Sequence, residues 1–143
     1  MTALTNRTTN TSNKVVGGIA GGIAGGIVFG LVMTMMGMMP MIAGLVGSQS
    51  AAVGWIVHLV ISIFIGATFA LIFGDRSTTY TTGLLWGLVY GVVWWVLGPL
   101  VIMPAMMGMP LFMFDSMTLV SLVGHLIYGA VTGLVYVWYI SRG

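Results

Sequence analysis

This chain of 143 residues contains four long apolar stretches and only six charged side chains. The charged residues are Arg7, Lys14, Asp75, Arg76, Asp115 and Arg142. The apolar stretches cover about residues 15–39, 51–73, 80–103 and 117–140. Each has the length of about 20 residues that a helix needs to cross the hydrocarbon core of a bilayer. Charged residues make up only 4% of the chain, against about 25% in a soluble domain. The sequence therefore predicts an all-α integral membrane protein, a bundle of four transmembrane helices.

The cations all fall on one side of the predicted bundle. They precede the first helix, lie between the second and third, and follow the fourth: Arg7, Lys14, Arg76 and Arg142. The positive-inside rule then predicts that both termini are cytoplasmic, in a bacterial-type inner (cell) membrane. Residues 1–14 are predicted to form a polar cytoplasmic tail before a single transmembrane domain at 15–143. The absence of cysteine excludes disulfides, thiolate metal sites and iron–sulfur clusters.

Two parts of the chain resemble each other. Residues 26–37, GIVFGLVMTMMG, align without gaps with residues 87–98, GLVYGVVWWVLG, and glycine matches glycine at three positions. The second and fourth stretches also match, HLVISIFIG with HLIYGAVTG. The pattern predicts two copies of a helical hairpin, at about 15–74 and 80–141. Because a unit with two spans repeats in the same orientation, we expect a twofold axis along the membrane normal.

Glycines recur every four residues on the predicted helices. In lipid, close backbone approach at small residues supplies the packing that burial of apolar side chains cannot supply. The spacing therefore predicts a glycine zipper between helices, with a glycine-lined pore as the alternative. The packing glycines are Gly18, Gly22, Gly26, Gly30, Gly66, Gly83, Gly87, Gly91, Gly129 and Gly133.

The two histidines, His58 and His125, occupy matching positions in the two hairpins. Steps of four residues from His58 reach Ser62 and Gly66, so its imidazole is expected to point into the bundle. Ionisable side chains inside a membrane are costly and usually functional. We expect the two imidazoles to face each other and hold one cofactor. The alternative is a neutral histidine that hydrogen-bonds a backbone carbonyl and only supports packing.

Twelve of the 13 methionines form two clusters, within residues 33–41 and 103–117. Both clusters lie at the outer ends of the first and third predicted helices, toward the same membrane face as the histidines. Thioether with imidazole suits Cu(I), a His/His or His/Met pair suits haem iron, and one histidine can ligate a chlorophyll-type pigment. The candidate metal ligands are His58, His125, Met33, Met36, Met103 and Met106. The alternative is that methionine fills gaps at an adaptable contact surface.

No catalytic constellation is recognisable. The only acidic residues, Asp75 and Asp115, lie in loops, so no carboxylate is available within a span. A serine–histidine–aspartate or two-carboxylate site cannot be assembled at one depth. The chain is therefore predicted not to be an enzyme, and its basic balance does not indicate nucleic-acid binding.

The chain contains three distinctive motifs, MMGMMPM at 35–41, MMGMP at 106–110 and GHLIYGAVTG at 124–133. In these motifs it resembles a functionally uncharacterised family of small four-span bacterial membrane proteins. The resemblance covers most of the chain after residue 15. It implies the four-span fold and carries no activity that can be transferred.

Two functions are expected from these features. The first is a non-catalytic accessory subunit of a larger respiratory or photosynthetic membrane complex, in contact with lipid and with other membrane-protein subunits. Short loops, contact-making glycines and the absence of a catalytic set favour it. The alternative is a small transporter or channel for copper or another small solute. The duplication and the intramembrane histidines favour that function, with Pro99 and Pro104 as interruptions of the third helix.

Overall fold

The computed structural model describes residues 10–142. Its helices are α1 (Thr11–Met35), α2 (Met39–Gly44), α3 (Ala51–Phe73), α4 (Tyr80–Leu97), α5 (Met103–Met106) and α6 (Ser116–Ile140). Four helical segments are long and apolar enough to cross a membrane: α1, α3, α4 with its continuation through α5, and α6. No strand occurs between residues 10 and 142. The prediction of an all-α four-helix bundle of the multi-pass membrane class is confirmed.

The start of α1 differs from the predicted span of residues 15–39. The Asn10 side chain caps the helix by accepting a hydrogen bond from the Ser12 backbone N–H at 3.3 Å. An asparagine cap satisfies one of the free N–H groups of the first turn. The last part of the predicted tail at 1–14 is therefore helical from Thr11 onward, and residues 1–9 lie outside the described part of the chain.

The end of α1 also lies before the predicted boundary. Gly37 has φ of 69°, a left-handed conformation that glycine adopts readily after a helix. The Met38 backbone N–H then donates to the Met33 carbonyl oxygen at 2.9 Å, which closes the turn. The chain continues as α2, and its residue Met39 is buried against α3. The two backbones are close there, because a methyl group added at Gly54 of α3 would lie 2.1 Å from the Met39 carbonyl oxygen.

The α4 helix changes its hydrogen-bonding pattern before it ends. Residues Gly98–Ile102 form a π-helical turn between α4 and α5. Pro99 lies in the first positions of this turn, where its ring and missing N–H disfavour an ordinary α-helical continuation. π-helical turns are frequent at functional sites.

Helix α1 contacts two helices at once through two rows of glycines. A methyl group added at Gly22 would lie 2.3 Å from the Ser62 carbonyl oxygen of α3. On the neighbouring row, a methyl group at Gly21 would lie 2.5 Å from the Thr132 carbonyl oxygen of α6. Only glycine permits backbones to approach this closely. The rows are Gly18, Gly22, Gly26 and Gly30 toward α3, and Gly17, Gly21 and Gly25 toward α6.

Helices α4 and α6 also meet through glycines. A methyl group at Gly87 would lie 2.2 Å from the Gly129 carbonyl oxygen, and one at Gly133 would lie 2.0 Å from the Gly83 carbonyl oxygen. The helices therefore follow the spatial order α3, α1, α6, α4, with extensive contact between each neighbouring pair. All ten predicted packing glycines make contacts between helices, the remaining ones being Gly66 on α3 with α1 and Gly91 on α4 with α6.

Helices α3 and α4 meet through aromatic side chains instead. In the alignment of the two hairpins, Gly25 of α1 corresponds to Trp86 of α4. The Trp86 ring stacks on Phe73 with centroids 4.9 Å apart, and the Tyr90 hydroxyl donates to the Ile65 carbonyl oxygen at 2.9 Å. These large side chains keep the two backbones apart, so α3 and α4 share few close contacts.

Three cations lie at the end of the bundle that carries both described termini. Lys14 forms an ion pair with Asp75, and Arg142 lies 4.3 Å from the centroid of the Trp138 ring. Arg76 lies 5.8 Å from the Trp86 ring. We call this the terminal end of the bundle and the opposite end the distal end. The cytoplasmic placement of the terminal end stays a prediction.

At the distal end, Asp115 caps α6. Its carboxylate accepts a hydrogen bond from the Thr118 backbone N–H at 2.7 Å, and the Thr118 hydroxyl accepts one from the Asp115 backbone N–H at 2.9 Å. The hydrogen bond from the Thr118 backbone holds the pKa of the Asp115 carboxyl below its ordinary value, because it stabilises the ionised form.

This cap makes the stability of the protein sensitive to acid. Because the folded-state pKa is lower than that of the unfolded chain, the carboxylate stabilises the fold above about pH 4, and this contribution is lost as the pH falls through the folded-state pKa. Asp115→Asn keeps a capping side chain but does not titrate. We expect acidification below about pH 4 to lower the melting temperature more in wild type than in Asp115→Asn. Equal decreases in the two proteins would contradict the prediction.

Candidate functional site

A cavity of about 700 Å³ lies in the distal half of the bundle. All four long helices and α2 contribute to its wall. Phe29 and Tyr128 lie at its inner end, and α2 and the segment after α5 lie at its distal end. The wall is mostly aliphatic and aromatic, but it includes both histidines of the chain and eight methionines. The cavity is therefore the place where the predicted ligand types come together.

His58, on α3, is buried and oriented by α1. Its Nε2 donates a hydrogen bond to the Gly26 carbonyl oxygen at 2.9 Å. Because a carbonyl oxygen can only accept, this bond assigns the proton to Nε2 and leaves a lone pair on Nδ1. The Ser62 hydroxyl donates its proton to the His58 carbonyl oxygen at 2.7 Å. It therefore does not hydrogen-bond to Nδ1.

His125, on α6, has the opposite assignment. Its Nδ1 donates to the Ser121 carbonyl oxygen at 2.8 Å, so Nε2 holds the lone pair. Nε2 faces the π-helical turn, where a methyl group added at Gly98 would lie 3.8 Å from it. The alternative prediction is a histidine that hydrogen-bonds a backbone carbonyl. One nitrogen of each ring makes such a bond, and the other nitrogen keeps its lone pair free.

The side chain of Phe29 packs against both imidazoles. Its ring centroid lies 5.7 Å from that of His58 and 4.9 Å from that of His125, both in edge-to-face orientation. Gly124 makes room for this ring, because a methyl group there would lie 2.0 Å from Phe29. Phe29 therefore supports both imidazoles from the inner end of the cavity.

The predicted methionine ligands divide into two groups. Met33, Met36 and Met103 line the cavity, whereas Met106 is 61% exposed and does not. Five further methionines line it: Met38, Met41, Met107, Met109 and Met117. All five belong to the methionine clusters of the sequence. The sequence does not reveal the Gly37 turn, which brings Met38 and Met41 over the cavity. Nor does it reveal that the segment after α5 and the start of α6 close the distal end with Met107, Met109 and Met117.

The donors at the cavity are imidazole nitrogens and thioether sulfurs. Among residues 10–142, no three His, Cys, Asp or Glu side chains come together as a group that could hold a metal ion. Asp115, at the rim of the cavity, is committed to capping α6. Hard cations such as Mg²⁺ and Ca²⁺ need several oxygen ligands, and this part of the chain does not supply them.

The polar groups at the inner end of the cavity are already paired. The Tyr128 hydroxyl donates to the Ser62 carbonyl oxygen at 2.8 Å. This bond links α6 to α3 at the inner end of the cavity. The free ring nitrogens of His58 and His125 are therefore available to a metal ion, whereas the unpaired Trp94 Nε1–H of the same wall is a donor only and cannot bind one. No family model matches the chain, and neither a curated protein nor a solved structure matches it.

Proposed function

We propose that this is a non-catalytic integral membrane protein that holds a Cu(I) ion in its distal cavity. The observation that carries the proposal is the placement of two imidazoles, each with a free lone pair, among thioethers in one cavity. The ligands would come from His58 and His125 together with Met33, Met36 and Met103. Thioether and imidazole donors favour Cu(I) over harder cations.

The hydrogen bonds of the two imidazoles support a role as ligands. A histidine that binds a metal usually donates its other ring N–H to a backbone carbonyl or a carboxylate, which fixes the tautomer and the ring orientation. His58 has this arrangement with Gly26, and His125 has it with Ser121. Both rings are therefore oriented before a metal arrives.

Cu(I) fits the cavity better than the other predicted cofactors. A haem held by both imidazoles would leave the thioethers of the cavity wall without a role. A chlorin held by one imidazole would leave the second imidazole and the thioethers without a role. Cu(I) can use both kinds of donor, imidazole and thioether.

The packing inward of the cavity supports holding an ion rather than conducting it. Toward the terminal end, Gly22 and Gly18 of α1 meet backbone atoms of α3, and Gly21 meets backbone atoms of α6. Phe69 and Tyr136 fill the centre with no exposed surface. The accessory-subunit role stays a prediction, and an ion held in such a subunit is compatible with it.

The proposal is tested by anaerobic titration of Cu(I) into the protein in lipid nanodiscs, in competition with a chromogenic Cu(I) chelator. We expect one ion per chain. Loss of even an outer partner of a metal site typically costs about 10–100-fold in affinity, so His125→Ala and Met33→Leu are each expected to weaken binding by about tenfold or more.

Met35→Leu is the matched control, because Met35 is near the same end of α1 but is 88% exposed and does not line the cavity. It is expected to bind Cu(I) as wild type does. Binding no greater than that of empty nanodiscs, or equal losses in Met33→Leu and Met35→Leu, would overturn the proposal. A Soret band in the purified protein that disappears in His125→Ala would assign haem instead.

A further inference from the structure

The distal cavity is continuous with the lipid-facing surface of the bundle. Val60, Ile61 and Phe64 of α3 line the cavity, yet they are 61%, 38% and 60% exposed. Ile102, in the π-helical turn after α4, also lines it and is 43% exposed. A side chain with both properties lies at an opening. The cavity therefore has a lateral opening between α3 and the end of α4, which faces the hydrocarbon of the bilayer, in addition to exposed lining at its distal end such as Met109 and Val120.

The opening follows from the aromatic contacts between α3 and α4. Toward the terminal end these helices are bridged by Phe73 with Trp86 and by Tyr90 with Phe69. The last bridge toward the distal end is the contact of Phe64 with Trp94, whose centroids are 6.5 Å apart. Beyond Phe64 and Trp94 the helix backbones stay separated and no further aromatic pair links them among the described residues.

The volume of the cavity exceeds what a metal ion needs. A cavity of about 700 Å³ lies within the range of about 300–1,000 Å³ that holds a small organic molecule. Water is a poor occupant, because a buried water needs about three polar partners and the wall is mostly aliphatic and aromatic. The neighbouring matter at this depth is lipid acyl chain, which the lateral opening faces.

We propose that one acyl chain of a membrane phospholipid enters between α3 and α4 and occupies the distal cavity. The headgroup stays at the membrane surface beside the α3–α4 opening, and the chain lies against Ile61, Phe64 and Trp94. This proposal does not depend on Cu(I), because the chain needs the aliphatic wall of the cavity and not the imidazoles.

The test is native mass spectrometry of the protein released from detergent at a collision energy that removes loosely bound lipid. Wild type is expected to retain one phospholipid. Ile61→Trp places a large ring in the opening, and overfilling a packed site of this kind is expected to lower lipid occupancy about tenfold. Val60→Trp, at a more exposed position of the same opening, serves as a second variant if Ile61→Trp does not fold.

Leu71→Trp is the matched control. Leu71 lies on the same helix and is 57% exposed, but it lies toward the terminal end and does not line the cavity. It is expected to retain lipid as wild type does. The proposal is overturned if wild type retains no lipid, or if the variants in the opening and Leu71→Trp behave alike. Cu(I) titration of the same samples distinguishes this failure from a failure of the metal site.

Discussion

Gly66→Ala is expected to lower the free energy of unfolding by about 1–3 kcal/mol, the usual cost of overpacking. The sign is informative, because alanine is favoured over glycine in a helix by up to about 1 kcal/mol. The added methyl group would lie 2.2 Å from the Gly18 carbonyl oxygen and 2.6 Å from the Gly22 Cα. Both are backbone atoms and cannot rotate away, so α1 and α3 must separate along their length.

The measurement is an unfolding titration in mixed micelles, with Gly44→Ala as the control. Gly44 ends α2, and no atom of the described residues would lie within 4 Å of a methyl group added there. Gly44→Ala is expected to leave stability unchanged or slightly raised. If Gly66→Ala were as stable as Gly44→Ala, the backbone contact between α1 and α3 would be wrong.

Phe29→Ala is expected to cost about 3–5 kcal/mol, the range found when a buried aromatic ring is removed from a core. Phe29 is 8% exposed and packs against both imidazoles and against Gly124. Its removal would extend the distal cavity inward, because the backbone contacts of α1 with α3 and α6 prevent the helices from collapsing into the space.

The control for this prediction is Leu31→Ala, two positions along α1. Leu31 is 56% exposed on the lipid-facing side of the helix. Its truncation therefore removes mainly contact with lipid or detergent and is expected to cost little stability. Thermal unfolding of the two variants in the same detergent checks the difference. Similar melting temperatures in Phe29→Ala and Leu31→Ala would show that Phe29 is not part of a packed core.

The sequence was sufficient for those features that depend on local composition. The four spans follow from six charges and long apolar stretches, and the second to fourth long helices begin within one residue of their predicted starts. The glycine spacing is likewise readable along one helix, and the glycines that it selected do lie at contacts between helices. Span length and glycine spacing can each be read from the residues of a single helix.

Features that depend on two helices at once were not predictable. The sequence treats Met38 and Met39 as the end of the first span, but the left-handed Gly37 turns the chain and places them over the bundle. Likewise, nothing along α4 marks Trp86 as a spacer. Its effect becomes visible only because Phe73 of α3 lies opposite. The cavity is a product of that pairing.

The contrast between glycine contacts and aromatic contacts gives the bundle one compliant side. Where backbones touch, as at Gly87 and Gly129, a displacement must move whole helices. Between α3 and α4, ring reorientation can change the helix separation, since most of the contact consists of side chains such as Phe64 and Trp94. Side chains change rotamer far faster than packed helices shift. We therefore expect thermal fluctuations of helix separation to be largest between α3 and α4 and smaller at the three interfaces that are packed through glycine.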